Sequence, residues 1–227
     1  VLKDAYCWNE TREEIKEYIR LAQKLGTPYI RLLGDRNADR EGKVDDDAVL
    51  QAIADKITDT YEKEKALDVL TLDLSDNKIA SIAAVQQLTG LSTFRAEKNQ
   101  LTDCAVLAGF TELRTLDISN NQLTDITMLS NLSKLAEFDF SYNQCTALPN
   151  LGASSGLVTI NGSNNALTYL EPLDKISTLN YVYMDYNAEI SKIDFLADNP
   201  NMVQINVFGT KVTQAQANKC IDRSIIV

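Results

Sequence analysis

Apolar and polar positions recur along most of this chain in one fixed register. Six asparagines, Asn77, Asn99, Asn121, Asn143, Asn165 and Asn187, stand 22 residues apart without a slip. The eighth residue before each is apolar: Val69, Leu91, Leu113, Leu135, Leu157 or Leu179. So is the fifth: Leu72, Phe94, Leu116, Phe138, Ile160 or Val182. Two residues after the first five come Ile79, Leu101, Leu123, Cys145 and Leu167. A period in this range marks a solenoid, whose units bury their apolar faces only against their neighbours. Within one unit, alternation from Leu116 to Ile118 predicts a short strand. The spacing of about three across Leu123, Ile126, Leu129 and Leu132 predicts a 3₁₀ or loosely helical return. The column asparagine carries both donor and acceptor, so it is expected to satisfy backbone groups at the bend after each strand, stacked as a ladder.

The register frays at identifiable places. Gly162 stands where other units carry Leu74, Ile118, Phe140 or Met184, which predicts an underfilled coil, and Ala96 is nearly as small. After Asn187 one residue is added, so that Ile190 falls three positions on rather than two. A shift of one then fits Met202, Ile205, Val207 and Val212, with Thr210 in the asparagine slot. This is an atypical last coil with a tail, as the open end of a solenoid requires. Residues 1–65 do not follow the period. Residues 11–26 carry a helical stripe with a Thr11–Glu14 capping box and Gly26 as a stop. Residues 28–34 read as a buried strand, and residues 45–65 as a second helix with acids first and lysines last.

The unit LxxLxLxxNxL resembles the leucine-rich repeat family, and "NQLTDITMLSNLSKL" resembles the internalin-like repeats of bacterial surface proteins. The resemblance covers residues 66–227. It implies an α/β solenoid with short parallel strands on the concave face and 3₁₀ or loop returns, preceded here by a helix–strand–helix segment. It also implies a role in binding other macromolecules. The ending, "INVFGTKVTQAQANKCIDRSIIV", resembles the last repeat of clostridial-type surface proteins of this family. "IKEYIRLAQKLGTPYIRLLGD" resembles part of the xylose-isomerase-like sugar-phosphate isomerase barrels, over residues 5–72. That family's carboxylate and histidine metal ligands lie on later strands which have no counterpart here, so no catalytic residue is carried over. Residues 1–65 are thus expected to be an α/β capping segment, either native or a fused barrel fragment, and 66–227 the repeat domain.

Composition narrows the function. With 44% hydrophobic and 24% charged residues the chain is globular. A net charge of −10 disfavours nucleic acid and acidic membrane surfaces. No apolar run approaches the roughly 18 residues of a membrane span. The chain starts at Val1 without a basic-then-apolar leader, so any leader is expected outside this sequence. Cys104 and Cys145 fall at inward-facing positions two coils apart, too far for a disulfide, and read as small core hydrophobes. Absence of histidine removes the usual zinc sets, so no metal or cofactor is expected. Neither a GxSxG elbow nor a phosphate-cradling GxxxxGK[ST] loop is present, and a non-enzyme is expected.

Residues two, four and six before each asparagine alternate with core positions and should face outward. Toward the N-terminus they are small and polar, with a threonine column suited to exposed strands. Toward the C-terminus, Tyr181, Tyr183 and Tyr186 share one coil, with Tyr142 two coils earlier and Phe208 on the last coil. Exposed aromatic clusters typify binding hot spots, although such rings also pack on one another to stiffen a sheet. With Asp117, Glu137, Asp139 and Asp185 beside them, they form the candidate partner-binding set. The expected partner is a basic protein, or a hydroxyl-rich glycan, bound by a monomer outside a bacterial cell or on its surface. A spacer without a ligand and an isomerase remnant are the alternative readings. Asp117 and Asp139, about 5 Å apart on neighbouring strands, are expected to be simply solvated.

Overall fold

The computed structural model describes residues 5–8, 29–33, 70–153 and 155–227, the first two stretches by their backbone. Among the described residues, nine parallel strands form one open sheet in chain order. They are β1 (Ala5–Trp8), β2 (Tyr29–Leu33), β3 (Thr71–Asp73), β4 (Thr93–Arg95) and β5 (Thr115–Asp117), followed by β6 (Glu137–Asp139), β7 (Thr159–Asn161), β8 (Tyr181–Tyr183) and β9 (Gln204–Asn206). The strand expected within residues 28–34 is β2. Strand β1 carries no periodic mark and was not expected. The two helices expected over 11–26 and 45–65 lie outside the described residues.

Register confirms the 22-residue ruler and its one slip. Thr71 lies opposite Thr93 and Thr159 opposite Tyr181, but Tyr181 lies opposite Gln204, an offset of 23. The central residue of each strand from β3 to β9 points into the core: Leu72, Phe94, Leu116, Phe138, Ile160, Val182 and Ile205 are at most 1% exposed. Each such side chain contributes roughly 1.5–3 kcal/mol by burial.

The asparagine column stitches coil to coil. Asn143 Oδ1 accepts the Leu123 N–H at 2.9 Å, while its Nδ2 donates to Ile118 O at 3.0 Å and Phe140 O at 2.9 Å. Asn99, Asn121, Asn165 and Asn187 repeat all three bonds. In the last coil Thr210 Oγ1 donates to Val207 O at 2.7 Å, keeping the bond within its own turn.

A second column stands one residue earlier. Asp76, Lys98, Asn120, Tyr142, Asn164 and Tyr186 all have φ between 53° and 60°, and Gly209 continues the series at 72°. This left-handed conformation costs a residue with a Cβ roughly 1–2 kcal/mol. It is held because each N–H extends the ladder to the next coil, as from Tyr142 to Ser163 O at 2.9 Å and from Tyr186 to Phe208 O at 2.7 Å.

Returns are 3₁₀ turns, as the spacing of three predicts: η1 (Ala83–Val85), η2 (Ala105–Gly109), η3 (Thr127–Asn131), η4 (Glu171–Leu173) and η5 (Asp194–Asp198). Asp103 and Asp125 start η2 and η3 by accepting the N–H of Ala105 and Thr127, each at 2.8 Å. The coil from Asn143 to Asn165 is different, with no 3₁₀ turn among its described residues. Ala147 replaces the accepting aspartate there, and Pro149 lacks the N–H it would receive. That coil is nevertheless full, which corrects the expectation at Gly162. A Cβ on Gly162 would lie 2.4 Å from Phe140 Cζ and 3.0 Å from Met184 Sδ, because the neighbouring coils' side chains lean into its space.

The C-terminal end is covered by α1 (Gln214–Ile221) and the residues after it. Thr213 caps α1, and Gln216 Oε1 accepts the Asp194 N–H at 3.2 Å, taking the aspartate's place at the start of η5. Ile226 then bridges β9, donating to Val203 O at 3.0 Å and accepting from Ile205 N at 2.8 Å. Cys104 and Cys145 are fully buried free thiols, pushed up to about 12 chiefly by desolvation, and so inert core residues.

Candidate binding face

From β4 to β9 the six- and four-before positions flank the buried centre of each strand and look out from the sheet, while Asp73 on β3 is buried. The two-before position is buried wherever it is serine. Ser75, Ser119, Ser141 and Ser163 are at most 9% exposed, which corrects the outward placement of those four, whereas Glu97 and Asp185 are half-buried. The cause is a local turn in which the side chain four before the asparagine receives the serine. Asp117 Oδ1 accepts the Ser119 N–H at 3.0 Å and its hydroxyl at 2.7 Å, and Asp139 takes the same pair from Ser141 at 2.9 and 2.7 Å. Asp139 Oδ2 also accepts from Asn161 Nδ2 at 2.8 Å.

These two carboxylates are half-buried, which corrects the expectation that they are simply solvated. Desolvation raises the pKa of both, and the serine hydrogen bonds oppose it. Glu97 presses against Asp117 and raises it further, while the charge of Asp117 raises Asp139. Glu97 was visible in the two-before column, as a long acid where most coils have serine, but was not among the candidates. Asp185 has a structural task, its Oδ1 accepting the Phe208 N–H at 2.7 Å. Glu137 is exposed at the start of β6.

The aromatic candidates separate into two groups. Tyr181 and Tyr183 are half-buried on β8, on either side of buried Val182. Tyr142, Tyr186 and Phe208 are 56%, 55% and 70% exposed. Tyr142 and Tyr186 both occupy the left-handed column, two coils apart. Tyr186 meets Phe208 edge to face with centroids at 5.4 Å, and a Cβ on Gly209 would stand 2.9 Å from the Tyr186 ring. The structure therefore brings Tyr186, Phe208 and Asp185 into one cluster beside Tyr183, and keeps Asp117 and Asp139 together farther along the sheet. From β5 to β9 the positions one, two, four and six before the asparagine slot hold Asp117, Glu137, Asp139 and Asp185, and neither lysine nor arginine. Among the described residues no group of three or more acids and cysteines is arranged to hold a metal, and no helix is long and apolar enough to cross a membrane.

Residues 111–153 match the family model described as Leucine Rich repeats (2 copies). This is a leucine-rich repeat fold. An internalin (inlF) from Listeria monocytogenes is similar to it with a TM-score of 0.65 at 22% identity, over 86% of this chain and 58% of that one. The functional domain of InlJ from Listeria monocytogenes, described as including a cysteine ladder, is similar with a TM-score of 0.58 at 24% identity, over 68% of this chain and 38% of that one. The chain thus spans little more than half of the first and well under half of the second. An internalin C2 (inlC2) from Listeria monocytogenes is similar with a TM-score of 0.50 at 24% identity, over 66% of this chain and 75% of that one. No curated protein matches the chain.

Proposed function

We propose that this repeat is a non-catalytic protein-binding module, whose partner docks on the sheet face between β5 and β9, outside or on the surface of a bacterial cell. The observation that carries the reading is the concentration of four aromatic side chains, Tyr181, Tyr183, Tyr186 and Phe208, on and beside β8 and β9 next to Asp185, with Tyr142 and the carboxylates of Glu137, Asp139 and Asp117 farther along the same face. Rings of this kind bury large area at low entropic cost, as binding hot spots require. The bacterial extracellular setting is supported by the shared fold with internalins of Listeria monocytogenes. The pairing of β2 with β3 supports reading residues 1–65 as a cap on the repeat core.

The test is selection of ligands from a displayed peptide library on the wild-type chain, followed by rebinding to Tyr181→Ala/Tyr183→Ala. Selected ligands should bind the variant at least about tenfold more weakly, with melting unchanged. Equal binding by a folded variant overturns the face assignment. Selection of glycans but no peptides from parallel libraries overturns the protein partner.

A further inference from the structure

The left-handed column presents its side chains from a backbone that is tied by N–H bonds to the next coil at every position from Asp76 to Tyr186. Asp76, Lys98, Asn120 and Asn164 fill it with small or flexible polar groups, and asparagine suits the conformation best among residues with a Cβ. Two coils instead carry tyrosine, and both rings remain more than half exposed, so core packing does not account for them. An unfavourable conformation kept for an exposed ring is a reason to look for a ligand.

We infer that Tyr142 and Tyr186 are paired anchors for two cationic side chains of an extended protein segment that runs across the coils. The inference rests on the proposed sheet-face reading and moves its anchor points from the strand to the turn. Spacing supplies the first argument. The turn ladder follows the strand ladder, so two coils separate the tyrosine backbones by about 10 Å. A polyproline II segment has three residues per turn and rises about 3.1 Å per residue, so its residues i and i+3 share a face roughly 9 Å apart. Residues i and i+3 of such a segment can therefore each meet one of the two rings.

Charge supplies the second argument. A guanidinium or ammonium group over a tyrosine face is attracted by the ring's quadrupole. Asp139 lies three residues before Tyr142, and Asp185 directly precedes Tyr186. Positions facing out between β5 and β9 offer no cation to compete. Phe208 and the Gly209 backbone support part of the Tyr186 ring, and the residue is still 55% exposed to a partner.

The fold itself supplies the control. Asparagine already fills this column at Asn120 and Asn164, so Y142N/Y186N removes both rings without disturbing the turn, and melting should hold or rise. The probes are end-blocked peptides repeating Arg-Pro-Pro, peptides with the same numbers of arginines and prolines in which the arginines are set two residues apart, and peptides repeating Glu-Pro-Pro, titrated by calorimetry. The Arg-Pro-Pro peptide should bind the wild type at least about tenfold better than either other probe, and the double variant at least about tenfold more weakly. Undiminished binding to Y142N/Y186N, equal binding of the arginine spacings, or no binding of Arg-Pro-Pro each overturns the inference. If binding survives Y142N/Y186N but is lost in Tyr181→Ala/Tyr183→Ala, only the turn anchors fail. If neither variant changes it, the face reading fails with them.

Discussion

The coil that ends at Asn143 and the next, ending at Asn165, obey the same ruler and solve the same problem differently. The first has Asp125 starting a 3₁₀ return and Phe140 filling the core. The second has Ala147 and Pro149 where that return would begin, and Gly162 where the ring would be. Both keep the asparagine with its three backbone bonds, at 2.8–3.1 Å in the second coil. The difference separates what the solenoid needs from what it tolerates. The strand recurs in every described coil, and the asparagine in each coil from β3 to β8, with Thr210 in its slot after β9. The return is negotiable, because its hydrogen bonds are local. Core volume is shared, because a side chain from one coil can fill the next.

The harshest challenge to this division is Asn143→Ala. It orphans the Leu123 N–H and removes donors from Ile118 O and Phe140 O, all in the buried turn. A loss of about 3 kcal/mol in urea unfolding is expected. Asn165→Ala should cost the same despite the irregular return beside it. A much smaller loss at Asn165 would show that the coils are not equivalent at this column.

Gly162→Ala probes the shared core. The new methyl would stand 2.4 Å from Phe140 Cζ, inside contact distance. The ring is fully buried and cannot swing away. About 2 kcal/mol should be lost, and Phe140→Leu in the same chain should recover part of it in a double-mutant cycle. Additive losses would mean the two coils are packed independently.

Asp125→Ala removes the start of η3, including bonds of 2.8 Å to the Thr127 N–H and 2.6 Å to its hydroxyl. About 1 kcal/mol should go, as with a lost helix cap. The same hydrogen bonds hold the Asp125 pKa below 3.8, so its contribution is present above that pH and fades as pH falls through the lowered value. Ala147→Asp alone should gain nothing, since Pro149 has no N–H to offer. Ala147→Asp with Pro149→Thr should recover a similar amount and so install the regular return.

These contrasts also mark what could be read from residues alone. The asparagine ladder, the 3₁₀ returns and the slip at Ile190 were legible because each follows from spacing within one chain segment. The fullness around Gly162 was not, since it depends on Phe140 and Met184, one coil away on either side. The burial of Ser119 and Ser141 was missed for another reason: alternation along a strand places side chains only until a side-chain hydrogen bond turns the backbone. Nor did Tyr142 and Tyr186 announce a left-handed turn. Their conformation is imposed by the ladder, and their residue type resists it. For the candidate site, the aromatic cluster was visible in the sequence, but its division into strand and turn groups was not.

The smallest effect tests the charged part of the face. The position held by Asp117 and Asp139 is Asn161 in the irregular coil, where Asn161 Oδ1 accepts the Ser163 N–H at 3.2 Å and keeps the turn without a charge. Asp117→Asn should therefore preserve the fold. The carboxyl of Asp117 is raised above 3.8, first by desolvation and then against its serine bonds by Glu97. A raised carboxyl favours folding below the unfolded value and loses that contribution as pH rises through the folded one. At neutral pH the ionised Asp117 consequently weighs against the fold, and Asp117→Asn should melt slightly higher than the wild type. The advantage should shrink on acidification and be gone below about pH 3.8, where both states of the wild type are protonated. If Asp117→Asn melts lower at neutral pH, the carboxylate is part of the scaffold. If it melts higher while binding of the Arg-Pro-Pro peptide weakens, the charge is kept at the expense of stability, as expected of a residue that serves the partner rather than the coil.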